Sequence, residues 1–179
     1  MVETDKNTSV QRDVKRTKQQ PKITDNTLIK VKNGVFGRLI FVSRRNGNTI
    51  RWDTQGDIQY VTFSELLEIR NQSIGFYKDQ MLIVLGIAEQ DECKATVEDI
   101  YNALGVREFY KNFIDITDFH TVCGWDISEI PERIAMLSPA VKQNLIVAIN
   151  QFIKDGTLDS RKKIRAFATA LNCEFDEEG

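Results

Sequence analysis

Residues 35–71 read VFGRLIFVSRRNGNTIRWDTQGDIQYVTFSELLEIRN, a β-hairpin, a third strand and a capped helix in direct succession. Leu39-Ile40-Phe41-Val42 is rich in strand formers. Asn46-Gly47 is the pair that tolerates positive φ at both centres of a tight hairpin turn, so the chain is expected to double back there. On the return strand Ile50 and Trp52 alternate with Thr49 and Arg51, Gly56-Asp57 supplies a second turn, and Ile58, Tyr60 and Phe63 carry the next apolar positions. Thr62 followed by Glu65 is a capping-box pattern, which starts a helix presenting Phe63, Leu66 and Leu67 on one side.

Upstream, Thr27 to Val31 predicts a first strand, set off by Asn33-Gly34 from one beginning at Val35. Four short strands suffice for a small β-barrel or curled sheet, with an SH3-like roll as the expected form. Residues 1–22 are polar, aperiodic and without an aromatic group. Alone, such a segment buries too little surface to offset its ordering entropy. It holds six basic residues, among them Arg12, Lys15, Arg16 and Lys18, against three acids, whereas the whole chain carries a formal charge of −2. The body is therefore mildly acidic, unlike a fold that neutralises duplex phosphates with its own surface. The basic arm reads either as a contact to a neighbouring chain or nucleic acid, or as a leader without a role.

Downstream, Met81 to Leu85 is a short apolar run that fits a buried strand or a packed extended segment. From Thr96 the apolar period becomes helical. Val97, Ile100, Tyr101 and Leu104 lie between a Thr96 cap and a Gly105 stop, and Val106, Phe109, Tyr110, Phe113 and Ile114 predict a second short helix. Ser128 caps a helix carrying Ile130 and Ile134. Ser138-Pro139 opens the longest helix, closed by Asp155-Gly156, and Asp159 caps a last one that Asn172 ends. The order β-rich then α-rich predicts an α+β protein in two units joined near 86–95. These are a β-rich unit over 23–86 with one capping helix and an α-helical bundle over 96–173, followed by an acidic tail over 174–179.

The titratable residues predict no reaction. His120-x-x-Cys123 is the sole pair at metal-ligand spacing, and a closed zinc site needs four ligands. Three widely spaced cysteines make no disulfide framework, so a reducing cytoplasm is the expected place of synthesis. No glycine-rich phosphate loop opens a helix. No catalytic residue, cofactor, metal, small-molecule substrate or membrane contact is expected. Arg161, Lys162, Lys163 and Arg165 read as a solvated helix face or a nucleic-acid surface. Arg44, Arg45 and Arg51, near the hairpin tip, either meet an acidic or phosphate partner or solubilise the turn. Trp52 and Trp125, each beside an acid and a turn, either expose one face to a partner or pack inside.

The stretch IRWDTQGDIQYVTFSELLEIRN (50–71), followed by IPERIAMLSPAVKQNLIVAINQFIKDGTLDSRKKIRAFATALN (130–172), resembles in layout small structural proteins of tailed bacteriophages of Gram-positive hosts. The likeness spans residues 27–172 and transfers no catalytic residue. It implies a non-enzymatic, repeated subunit of the virion, made in the bacterial cytoplasm, whose partners are other virion proteins and copies of itself. Candidate contacts are Arg12, Lys15, Arg16, Lys18, Arg44, Arg45 and Trp52. The alternatives are a nucleic-acid-associated accessory protein using the arm and the 161–165 cluster, or a host-directed inhibitor acting by protein contact.

Overall fold

Alternating burial along Leu28–Asn33 makes this strand, β1, the axis of the structure, a computed structural model that describes residues 22–175. Ile29, Val31 and Asn33 turn inward, and Leu28, Lys30 and Lys32 outward. β1 pairs antiparallel with β4 (Ile58–Thr62) on one side and β5 (Leu82–Ile87) on the other, giving the order β4-β1-β5. β2 (Leu39–Val42) and β3 (Thr49–Trp52) form a separate hairpin.

The protein is thus mixed α+β, but its sheets do not close into a barrel. Among the described residues no backbone ladder joins the hairpin to the three-stranded sheet. Leu39, Phe41 and Trp52 from the hairpin share one core with Ile29, Val31 and Val61 from the sheet. The hairpin therefore stacks on the sheet's inner face rather than widening it. The hairpin turn also departs from expectation. Ser43 pairs with Asn48 around the four-residue loop 44–47, and only Gly47 takes positive φ, at 74°.

Asn33 fixes the hairpin's orientation. Fully buried, it donates from Nδ2 to the carbonyls of Gly37 (2.8 Å) and Thr54 (2.9 Å) and accepts from the Val35 N–H through Oδ1. One side chain thereby ties the β1–β2 connection to the β3–β4 turn, with every bond it makes replacing one to water.

α1 (Phe63–Gln72) begins with the expected Thr62–Glu65 capping box. A short α2 (Gly75–Lys78), not anticipated, places Tyr77 so that its buried hydroxyl donates to Leu66 O at 2.8 Å. α3 (Val97–Leu104) runs from the Thr96 cap to Gly105, whose φ is 68°. The expected helix over 106–114 is only a 3-10 turn at Arg107–Tyr110. α3 and this turn add Ile100, Tyr101, Leu104, Val106 and Tyr110 to the first core, so that core continues well past the expected joint at 86–95. The change comes at adjacent residues: Phe113 packs on the first core and Ile114 on the second.

The second core gathers α4 (Phe119–Cys123), α5 (Ile130–Ala135), α6 (Pro139–Lys154) and α7 (Arg161–Leu171). α4, held by the Asp118 cap, is a further unanticipated element. Ser138 and Pro139 start α6 as expected, and Asn172 ends α7 in the left-handed region. Two caps differ from expectation: Glu129 rather than Ser128 precedes α5, and Ser160 rather than Asp159 precedes α7. Lys32, on the outer face of β1, reaches Asp115 and donates to Thr117 Oγ1 at 2.9 Å, tying the sheet to the segment between the cores.

Candidate functional site

Every strand at the side of a sheet presents unpaired N–H and C=O groups, and what covers them decides where another chain can attach. Of the four free sides here, that of β3 carries the outward backbone groups of Thr49 and Arg51, which meet no partner among the described residues, and the other three differ.

The free side of β5 is covered by tyrosines. Tyr101 on α3 accepts the Val84 N–H at 3.0 Å, and Tyr110 on the 3-10 turn donates to Leu82 O at 2.5 Å. The two rings stack with centroids 4.0 Å apart. Burial pushes both hydroxyls well above the usual phenol range, so both remain protonated. Beside them Val97, Glu98, Tyr101, Arg107, Tyr110, Lys111 and Phe113 line a shallow cleft of about 500 Å³. Its rim cations are already neutralised, Arg107 by Glu98 and Lys111 by Glu108. The phenols in its floor are committed to β5, so the cleft offers apolar contact rather than acid–base chemistry.

At the end of the free side of β2, α1 binds the chain, while the outward backbone groups of Ile40 and the Val42 N–H meet no partner among the described residues. Gln72 donates from Nε2 to Val42 O at 3.3 Å and accepts the Arg44 N–H at 2.8 Å, as a neighbouring peptide group would. One turn earlier, Glu68 accepts from the Ser43 hydroxyl at 2.5 Å and the Arg45 N–H at 3.3 Å. The Arg45 side chain is 70% exposed, with Nε 3.9 Å from Glu68. Arg44 and Arg45 therefore stand in solvent on a loop whose backbone is clamped to α1.

β4 has no such cover. Thr27 O accepts the Phe63 N–H and Asp57 O the Asn33 N–H, both at 2.9 Å, and the register runs Ile29↔Val61 and Val31↔Gln59. By antiparallel alternation, Asp57, Gln59, Val61 and Phe63 bond to β1, while the N–H and C=O of Ile58 and Tyr60 point away from it. Those groups meet no partner among the described residues. The side chains of Ile58 and Tyr60 are 44% and 48% exposed on the outer face. Phe36, Ile40 and Val42 are likewise exposed about the hairpin. In a one-sided antiparallel sheet such outward positions are ordinarily polar.

The expected contact residues distribute unevenly. Arg12, Lys15, Arg16 and Lys18 lie outside the described residues. Trp52 is not a docking residue: its side chain is fully buried, with Nε1 donating to Val31 O at 3.0 Å. Trp125 is buried too, beneath the Arg133 guanidinium and beside Phe167. Both tryptophans fill cores because the hairpin and α5 fold over them, a long-range outcome their acidic neighbours do not encode. Arg51 and Arg38 share Asp53. The basic cluster on α7 divides: Lys163 donates to Cys123 O, while Arg161, Lys162 and Arg165 are exposed. Burial pushes the Cys123 thiol up to about 11, which favours the thiol over the thiolate near neutral pH. Among the described residues no group of three or more His, Cys, Asp or Glu is placed to hold a metal ion, and no helix is long and apolar enough to cross a membrane.

The open side of β4 was missed by sequence reasoning. A signal existed in the strand itself, IQYVT, which carries neither a charge nor a proline. The chain matches none of the family models, curated proteins or solved structures compared with it.

Proposed function

We propose that the protein acts without catalysis as a repeated assembly subunit of a tailed-phage particle, working through protein–protein contact. The observation that carries this reading is the uncovered side of β4, with Ile58 and Tyr60 exposed beside their unpaired backbone groups. Within the three-stranded sheet, a side covered on β5 but bare on β4 has the form of a surface completed by another chain. On this reading the N-terminal unit is an opened form of an SH3-like roll, the C-terminal helices are a bundle that backs it, and Arg12, Lys15, Arg16 and Lys18 reach a neighbouring subunit.

Co-sedimentation of the purified chain with candidate phage particles tests the proposal. Retention that persists as salt rises from about 50 to 500 mM supports apolar and strand-mediated assembly. Loss of retention throughout rejects it. A second reading, nucleic-acid association, is favoured by the exposed Arg161, Lys162 and Arg165 on α7. It predicts binding that falls steeply over the same salt range.

A further inference from the structure

We infer that two copies of this chain pair through β4, antiparallel and edge to edge, about a two-fold axis at Gln59. The inference rests on the assembly reading above and names its partner.

The backbone geometry sets the register. The groups of Ile58 and Tyr60 that turn away from β1 are those a new antiparallel neighbour would bond. With the axis at Gln59, Ile58 of one copy lies opposite Tyr60 of the other. Each forms a hydrogen-bonded pair, and every orphan N–H and C=O of these residues meets its counterpart. Shifting the pairing by one residue would oppose Gln59 to Ile58 or Tyr60, and the Gln59 backbone groups already face β1.

The side chains favour the same register. On the outer face the Tyr60 ring falls across Ile58 of the second copy, twice over, an aromatic and β-branched combination that stabilises cross-strand pairs. On the inner face Gln59 meets Gln59, two neutral amides that hydrogen-bond each other. No like charges oppose one another along Ile58–Thr62, because the strand carries none. The nearest cations, Lys30 and Lys32, stand one strand back and are engaged by Glu89 and by Asp115. Any extended chain would satisfy the backbone. A second copy fits this strand because its exposed Tyr60 meets an exposed Ile58 and because a strand without charges opposes no like charges when paired with itself.

The result is a continuous sheet β5-β1-β4-β4-β1-β5 across two copies. A contact this small sits at the weak end of protein interfaces, with dissociation in the range of about 10 μM to 1 mM. It gains strength where many copies are held side by side.

Sedimentation equilibrium of the full chain across that concentration range, with amide hydrogen exchange, tests the inference. The expected result is a monomer–dimer equilibrium in which protection of the Ile58 and Tyr60 amides rises with concentration, while the Gln59 and Val61 amides are protected throughout. Ile58→Lys with Tyr60→Lys places lysine opposite lysine and weakens dimerisation at least about tenfold. Ile58→Lys with Tyr60→Glu places lysine opposite glutamate and restores it. Tyr60→Pro removes one outward donor without touching the β1 ladder and also weakens it. A chain that stays monomeric at about 1 mM, or a dimer indifferent to all three variants, overturns the inference. A monomer that still co-sediments with particles refutes the self-pairing and leaves the assembly reading standing. A β4-dependent dimer that ignores particles does the reverse.

Discussion

The backbone N–H of Val84 donates to the hydroxyl oxygen of Tyr101 at 3.0 Å, so a helix side chain supplies one of the outer hydrogen bonds of β5. Tyr110 does the same for the Leu82 carbonyl from the neighbouring turn. Together they convert one side of the sheet into interior, which leaves β4 as its exposed limit.

Tyr101→Phe keeps the ring stack but leaves the Val84 N–H buried without an acceptor. The expected cost is about 1–3 kcal/mol, read as a lower urea midpoint with an unchanged slope. Tyr110→Phe strands the Leu82 carbonyl in the same way. Because the two rings are in contact, the double variant should depart from additivity by more than about 0.5 kcal/mol in a double-mutant cycle.

Trp52 distinguishes a core role from a docking role. Its ring is fully buried between hairpin and sheet, so Trp52→Ala is expected to destabilise the fold by about 3–5 kcal/mol. Chemical denaturation measures this loss directly. Resistance of native tryptophan fluorescence to acrylamide quenching is a second check, since Trp125 is buried as well.

Gln72 replaces a strand neighbour on β2 at an exposed site, where a hydrogen bond is worth little in net stability. Gln72→Ala should cost no more than about 1 kcal/mol. It should also remove exchange protection from the Arg44 amide, which donates to Gln72 Oε1. Unchanged protection at Arg44 in amide exchange would show that the contact does not persist in solution.

Acid should destabilise the protein through its cap and turn carboxylates. Asp99 is lowered from the ordinary carboxylate range chiefly by the Thr96 N–H, Asp57 by the Thr54 N–H, Asp91 by the Leu28 N–H, and Asp118 by the Thr121 hydroxyl. Each is more acidic folded than unfolded. The stability they contribute is therefore complete above the unfolded-state value, about 3.9, and is lost as pH falls through the lower folded values. Denaturation midpoints should be flat between about pH 5 and 7 and drop below about pH 4. Thermal melts across that series check the sign.

Local chemistry made the capped elements legible. Thr62 with Glu65, Thr96 before Val97, and Ser138 with Pro139 each answer the unsatisfied donors of a first helical turn within a few residues, so the helix starts could be read where they occur. Gly105 and Asn172 likewise mark the ends of α3 and α7, since their positive φ is a local requirement. The helix expected over 106–114 failed because periodicity alone cannot say which surface an aromatic stripe serves. Tyr110 is drawn to β5 and Phe113 to Tyr110, and four residues of 3-10 turn satisfy both. Trp52 was misjudged for the same reason, as its burial depends on a sheet built from residues before and after it in the chain.

By itself, then, the sequence determined the α+β composition, the alternation of Ile50 and Trp52 with Thr49 and Arg51 on β3, and the capped boundaries of α1, α3, α6 and α7 named above. These follow from backbone sterics and from hydrogen bonds spanning three or four residues. Only the tertiary structure decided that the hairpin stacks beneath the sheet instead of closing it, that Tyr101 and Tyr110 cover the side of β5, and that β4 is left bare. Which strand borders solvent depends on contacts between segments far apart in the chain, and no local propensity carries that information.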